Sequence, residues 1–421
     1  MKWPVAFTVL QFRDFRLIWM GQFVAMLGMQ IQTVALGWLV YDLTGSAAQL
    51  GLVGLFRALP LIFFSLFGGT LADQLDRRRL LLVTQSMQAL LSVTLAIFVT
   101  GGLENVWILY GFAFATAAGS SFDAPSRQAI IPALVPRDRL SNALTLNVLS
   151  SNTGMVLGPT MSGFIIGQLG TGAAFWAGAV SFLGVLTALM LMRTRPPVPT
   201  PARRGLASLI DGLRFVKDRR ILWQLMVIDF TATLAVSPVG LLPVFASDVH
   251  QIGPEGLGLL YAAPSIGSVL GALLFASVPS PKLPGRMVAV AIAGYGLALA
   301  LFGIMPTFYL ALGFLALGGG LDAVSMAMRH TVRQLATPDD FRGRVGALAS
   351  VFSGGGPRLG EFQAGMVASL IGPQGAMFAG GIACVAIALS SNYWARGLWK
   401  YRGEEQARPE DLEERECPKD G

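Results

Sequence analysis

FRDFRLIW at residues 12–19 returns 204 residues later as VKDRRILW at residues 216–223. In each copy a charged cluster gives way to a long apolar run that opens with Leu or Ile and Trp. PRDRLSNAL from Pro136 is answered by PDDFRGRVG from Pro338, a shift of 202, and in that register Gly158 meets Gly360 and Gly163 meets Gly365. Asp123 and Asp322 close the fourth apolar run of their halves. The chain therefore reads as a tandem duplication, so its fold is that of one half taken twice.

Each half reads as six membrane crossings. Of 421 residues, 53% are hydrophobic and 13% charged, and mean hydropathy is +0.60; a soluble chain carries about a quarter charged residues. Crossing the hydrocarbon core takes about 20 mainly apolar residues. Such runs occupy 16–40, 47–72, 79–100, 106–124, 142–169, 172–192, 221–246, 255–278, 286–305, 308–328, 344–370 and 374–395. Without water to satisfy free backbone groups they must be helices or a closed barrel, and the absence of period-two alternation excludes the barrel.

The expected fold is an all-α membrane protein of twelve transmembrane helices in two six-helix bundles, 1–192 and 221–398, with a linker at 193–220 and a tail at 399–421. An even number of crossings per half makes the repeat parallel, with a cavity between halves. In the linker RPPVPTP is extended. Beyond it Leu206, Leu209, Ile210, Leu213 and Val216 recur at helical spacing among basic residues, as in a helix lying on the inner leaflet or a solvated connector. The tail beyond Arg402 is charged and poor in apolar residues, the composition of disorder. The first apolar run follows Arg13, Asp14 and Arg16 without a small-residue cleavage pattern, so it reads as a retained span rather than a signal peptide.

Net charge is +7, and its placement is one-sided. Arg77, Arg78, Arg79, Arg127, Arg137, Arg139, the run from Arg193 to Arg220, Lys282, Arg286, Arg329, Arg333, Arg342, Arg344 and the residues from Arg396 onward alternate with six connections that hold no Lys or Arg. The positive-inside rule then sets both termini in the cytoplasm, here of a bacterial inner membrane. Cations beside anionic headgroups account for the basic balance, so nucleic acid is not an expected partner. Cys384 and Cys417 lie in unlike settings, and His250 and His330 are far apart, so neither a disulfide framework nor a metal site is expected. No Ser–His–Asp arrangement or phosphate loop is visible, and GGG at 318–320 and 354–356 lies inside apolar runs, where packing explains it. Neither a cofactor nor enzymatic chemistry is expected.

The residues that stand out are charges inside apolar runs, which are costly and mark functional sites. Arg57 lies in the second span and Arg358 in the eleventh, and both are expected to face the cavity or a carboxylate. Glu361, three residues after Arg358, shares its helix face and is a candidate partner. Asp229 lies in the seventh span. Burial raises a carboxyl pKa, so Glu361 or Asp229 is a candidate proton carrier. Asp123 with Arg127 and Asp322 with Arg329 read as state-dependent ion pairs with neighbouring loops or as solvated helix ends.

These stretches also carry a family resemblance. GGTLADQLDRRRLLL at 68–82 resembles the loop signature of the major facilitator superfamily through Gly69, Asp73, Arg77 and Arg78; Gln74 and Asp76 stand where a basic residue and a glycine are usual. GMVLGPTMSG at 154–163 resembles the superfamily's fifth-span antiporter signature through Gly154, Gly158, Pro159 and Gly163. FDAPSRQAIIPALVPRDRLSNALTL at 122–146, with RGRVGALAS at 342–350, resembles the exporter branch that includes the enterobactin exporter and macrolide efflux proteins. The resemblance implies a monomeric secondary transporter that exports a small amphipathic solute by alternating access in exchange for protons. It implies a gating role for Asp73 and its arginines and a seal between halves for the fifth-span glycines. Uptake by the same fold, or a receptor that binds without transport, are the alternatives.

Overall fold

The absence of water along apolar stretches forces their backbones to bond internally, and the apolar runs of this chain are helical in a computed structural model that describes residues 5–72, 76–194, 206–277, 281, 283–338 and 341–401. The helices are α1 Arg13–Thr44, α2 Ala47–Ala72, α3 Arg77–Thr100, α4 Val106–Leu134, α5 Leu140–Leu191, α6 Leu206–Asp218, α7 Arg220–Ala235, α8 Gly253–Ala276, α9 Pro284–Ile304, α10 Phe308–Ala336, α11 Arg342–Trp394 and the short α12 Arg396–Trp399. After α7 the chain continues through short 3-10, α and π turns to Val249.

Two of these helices are hairpins. α5 has 52 residues and α11 has 53. At 1.5 Å per residue each would be about 80 Å long, more than twice the hydrocarbon core. Each instead breaks at a glycine, Gly170 at φ 84° and ψ 169° or Gly372 at φ 80° and ψ 162°. That backbone region is essentially closed to other residues. The two breaks lie 202 residues apart, the register of the repeat. Among the described residues nine helices have the length and apolarity to cross a membrane, with both hairpins counted once. Val106–Leu134 adds a further helix of 29 residues. Eleven of the twelve expected spans follow a helix apart from a residue or two at their ends, whereas the seventh, 221–246, is helical only to Ala235 and breaks at 236–238 before the short turns that follow.

Two helices overrun their expected ends. α4 continues ten residues past 124, and α10 eight past 328. The expected ends stopped where charges begin, but a charged residue halts the hydropathy signal and not the helix.

α1 packs along α5, α7 along α11, and two seams join the halves: α2 against α11, and α5 against α8. The polar segment before α7 also orders: Phe215 of α6 stacks on Phe341 at 4.2 Å, and Val216 is buried. The stretch RPPVPTP and the tail from 402 lie outside the described residues.

Replacing Gly170 or Gly372 with Ala is expected to cost about 1–3 kcal/mol each and to lower the melting temperature in detergent. Gly111→Ala, which meets open space, serves as the control and leaves melting unchanged. Equal melting of all three proteins would refute the hairpin breaks.

Candidate solute cavity

A cavity of about 240 Å³ lies within the first half and reaches its seam with the second. α1 contributes Gln30, Gln32 and Thr33, α2 contributes Arg57, α3 contributes Gln88, and α4 contributes Thr116 and Ser120. From the second half Arg358 lines it. The helix positions explain the convergence. Gly54, one turn before Arg57, lies so close to α11 that an added Cβ would stand 2.6 Å from the Arg358 carbonyl oxygen. Bare backbone at that point brings α2 and α11 together and aims both arginines into one space.

Most other polar groups of the wall are committed elsewhere. The Thr33, Thr116 and Ser120 hydroxyls donate to carbonyls of their own helices at 2.8–2.9 Å. Gln32 donates to the Phe175 carbonyl at 3.3 Å and accepts from Ser92 at 3.1 Å, tying α1 to α5 and α3. The two guanidiniums are the strong donors that remain.

Glu361 and Asp229 sit differently from expectation. Glu361 is buried between Gly54 and Gly240. It acts electrostatically on Arg57 together with Arg358 and Tyr261, yet among the described residues it forms no ion pair within 4 Å with Arg358. Asp229 does not line the cavity, because its carboxylate binds Arg329 of α10. Arg329 also donates to Asp322 at 3.3 Å, so one guanidinium joins two carboxylates inside the second bundle rather than reaching a loop.

The first bundle holds a counterpart. Asp123 accepts from Gln85 at 2.7 Å and from Thr84 at 3.3 Å. Arg127 stands 4.0 Å from Asp123 and donates to Gln22 of α1 at 3.4 Å. Gln22 lies nine residues into α1, as Asp229 lies nine into α7. Both bundles therefore tie their first helix to their fourth through an arginine, with a neutral acceptor in one and a carboxylate in the other. A second cavity of about 70 Å³ shares Met29, Gln88, Ser120 and Phe182 with the first and continues to Gln22, Asp123 and Arg127. It runs toward the arginine-rich end.

The signature residues divide. Asp73 lies outside the described residues, and Gly69 falls in the last turns of α2. Arg77 opens α3, and Arg78 donates to the Leu189 and Met190 carbonyls at 3.0 and 3.1 Å, closing the C-terminal end of α5. Asp76, which replaces the usual glycine, caps α3 by accepting from the Arg78 and Arg79 amides at 2.9 and 3.3 Å. In the fifth span Gly154 and Gly158 pack on Met26, Leu27 and Gln30 of α1, within their own half. Gly163 instead meets Pro254 and Gly258 of α8, and the Pro159 carbonyl meets Gly258. Only the second part of the motif faces the other half.

Sequence reasoning missed two contacts at the cation-free end. Tyr41 of α1 donates to Asp248 at 2.5 Å, and Gln168 of α5 donates to Glu255 of α8 at 2.8 Å. Each joins one half to the other. The acids were visible in and just after the connection between the seventh and eighth spans, but their partners lie far away in the chain. His250 in the same connection packs near Phe245 and Phe308, and burial holds its pKa below the usual range.

The profile of the transmembrane secretion effector family matches residues 5–407. The chain belongs to this family, a branch of the major facilitator superfamily. Membership makes it a multi-pass membrane transporter rather than an enzyme. It is 26% identical over 379 residues to the enterobactin exporter EntS of Citrobacter koseri, covering 89% of this chain and 90% of that one. In fold it is similar to a bacterial homologue of the human lysosomal transporter Spinster, with a TM-score of 0.71, 18% identity, and 95% and 98% of the two chains covered. It is likewise similar to the nucleoside transporter NupG, with a TM-score of 0.72, 14% identity, and 92% and 100% covered.

Removing one member of a buried ion pair leaves the other unpaired, at about 3–5 kcal/mol. Asp229→Ala and Arg329→Ala should therefore each lower the melting temperature sharply, and the double substitution should cost clearly less than their sum. Gln22→Leu, which removes a neutral acceptor, should cost about 1 kcal/mol. Additive losses in the Asp229–Arg329 cycle would show that the pair is not coupled.

Proposed function

We propose that this transporter exports a small amphipathic, siderophore- or drug-like solute across a bacterial inner membrane by alternating access, in exchange for protons. The observation that carries the proposal is the arrangement of the cavity. It lies against the seam between halves, continues toward the arginine-rich end, and is shut off at the opposite end by Tyr41–Asp248 and Gln168–Glu255. The positive-inside rule makes the arginine-rich end cytoplasmic, with both termini there. In that orientation the cavity extends toward the cytoplasm, the side from which an exporter loads, and relatedness to an exporter supports that direction. The relatedness to an enterobactin exporter supports a siderophore-like solute.

In this reading residues 1–192 and 221–398 are the two rocking bundles, and 193–220 connects them. The chain works as a monomer. The outer contacts break when the bundles rock, and the Asp123–Arg127 and Asp322–Arg329 groups steady each bundle near the inner end. Asp73, Arg77 and Arg78 gate the inner side. Glu361 carries the coupling proton: it is buried at the seam between the halves, beside Gly54 and Gly240, whereas the other candidate, Asp229, is bound by Arg329.

Purified protein in liposomes should discharge an imposed pH gradient when amphipathic solutes are added. Glu361→Gln should abolish that discharge while leaving solute exchange at equal concentrations. A disulfide between Gln168→Cys and Glu255→Cys should stop transport, and a reductant should restore it. Undiminished transport through the oxidised protein would rule out opening at that end.

A further inference from the structure

Arg57 and Arg358 pose an electrostatic problem that the surrounding helices leave unsolved. Arg57 lies ten residues into α2 and Arg358 sixteen into α11, so each is about 15–25 Å from its helix start. Neither is placed to snorkel to a headgroup. Among the described residues neither guanidinium has a hydrogen-bond or ion-pair partner. The neighbouring acids do not balance them. Asp123 is taken by Gln85, Thr84 and Arg127, and Asp229 and Asp322 share Arg329. Glu361 and Tyr261 are the remaining titratable groups that act on Arg57. With Glu361 ionised, the cluster holds two cations against one anion in a lipid-embedded interior, where uncompensated charge is costly.

One negative group inside the cavity removes the imbalance. A guanidinium presents a planar fork of donors that matches a carboxylate, sulfonate or phosphate oxygen pair, and two forks face this space from different helices. We infer that the transported solute carries an oxyanion group and that Arg57 and Arg358 hold it, one guanidinium from each half. The inference rests on the reading that this cavity carries the solute. A volume of about 240 Å³ is below the ~300–1,000 Å³ of sites that enclose whole drug-sized ligands. It fits the anionic head, and the rest of the solute extends along the second cavity toward Asp123 and Arg127. The anion is fully held only while the seam is closed, so its binding depends on the position of the bundles.

The test uses a panel of aromatic carboxylates, each paired with its neutral primary carboxamide, so that charge changes while the ring body stays the same. Binding to the full-length protein in lipid nanodiscs is measured by calorimetry, and transport of the best-bound members by counterflow in liposomes. Carboxylates should bind about 10- to 100-fold tighter than their amides. Arg57→Gln and Arg358→Gln should each erase that margin while leaving amide binding as it was. Arg57→Lys and Arg358→Lys, which keep the charge but lose the fork, should restore part of it, and unchanged melting of the Lys variants guards against misfolding. Amides binding as tightly as acids, Arg→Gln weakening both alike, or no binding across the panel would each overturn the anion site. Arginine-dependent carboxylate binding without counterflow would keep the anion site and sink the transport reading. Counterflow that ignores charge would do the reverse.

Discussion

At each of the two seams between the halves a backbone without a side chain lies against another. Gly163 of α5 meets Gly258 of α8, and Gly51 of α2 meets Gly365 of α11, with an added Cβ falling within 2.5–3.2 Å of the facing backbone. Lipid tails are as apolar as leucine, so burying hydrocarbon cannot drive one half onto the other; close packing and polar contacts must do it. Smooth glycine contacts supply the packing at these points without interlocking side chains there. Gly163 and Gly365 are equivalents in the repeat, and so are the helices they touch, so the two seams are one contact made twice. Two polar bonds between halves, Tyr41–Asp248 and Gln168–Glu255, stand beside these seams at the cation-free end.

Inside each bundle the logic is different. There the polar contacts are dense and deep: Gln32 with Ser92 and Phe175, Asp123 with Gln85, and Asp229 with Arg329. Each has no water to turn to if broken, so each bundle behaves as a rigid body. Stiff bundles meeting at smooth seams are the mechanical condition for rocking. The duplication is not perfect, and the departures are informative. The arginine that ties first helix to fourth meets a glutamine in one half and an aspartate in the other, which makes the second bundle's clamp the stronger. The described cavity lies almost wholly on the first bundle, and the second reaches it through Arg358.

Much of the fold was legible because membrane solvent leaves little choice. A run of apolar residues must be a helix, and a repeated motif fixes how the halves relate. Helix ends were less legible, since α4 and α10 carry Arg127 and Arg329 within continuous helix and hydropathy reads an arginine as an exit. Arg57 and Arg358 announced themselves because charge in an apolar run has few neutral explanations. Their neighbours did not. That Glu361 stays apart from Arg358, three residues away on the same helix, depends on Gly54 and Gly240 pressing α2 and the turn after α7 against it. That Asp229 belongs to Arg329 depends on how α7 and α10 cross. The fifth-span signature reads as one stripe but serves two partners, α1 and α8, because Pro159 and Gly163 lie farther along the helix than Gly154 and Gly158.

The seam and the cavity are not separate parts. Gly54 and Gly51 are one turn apart on α2: the first lies against the Arg358 carbonyl, the second against Gly365. The contact that holds the halves together is thus continuous with the contact that sets the distance between the two guanidiniums. Any rotation that peels α2 from α11 carries Arg358 away from Arg57, and any group bridging those arginines resists that rotation. A ligand shifts a two-state equilibrium only by binding the states unequally. Two cations mounted on opposite bodies supply that inequality by geometry alone, because one state offers a bridging group both partners and the other offers it one.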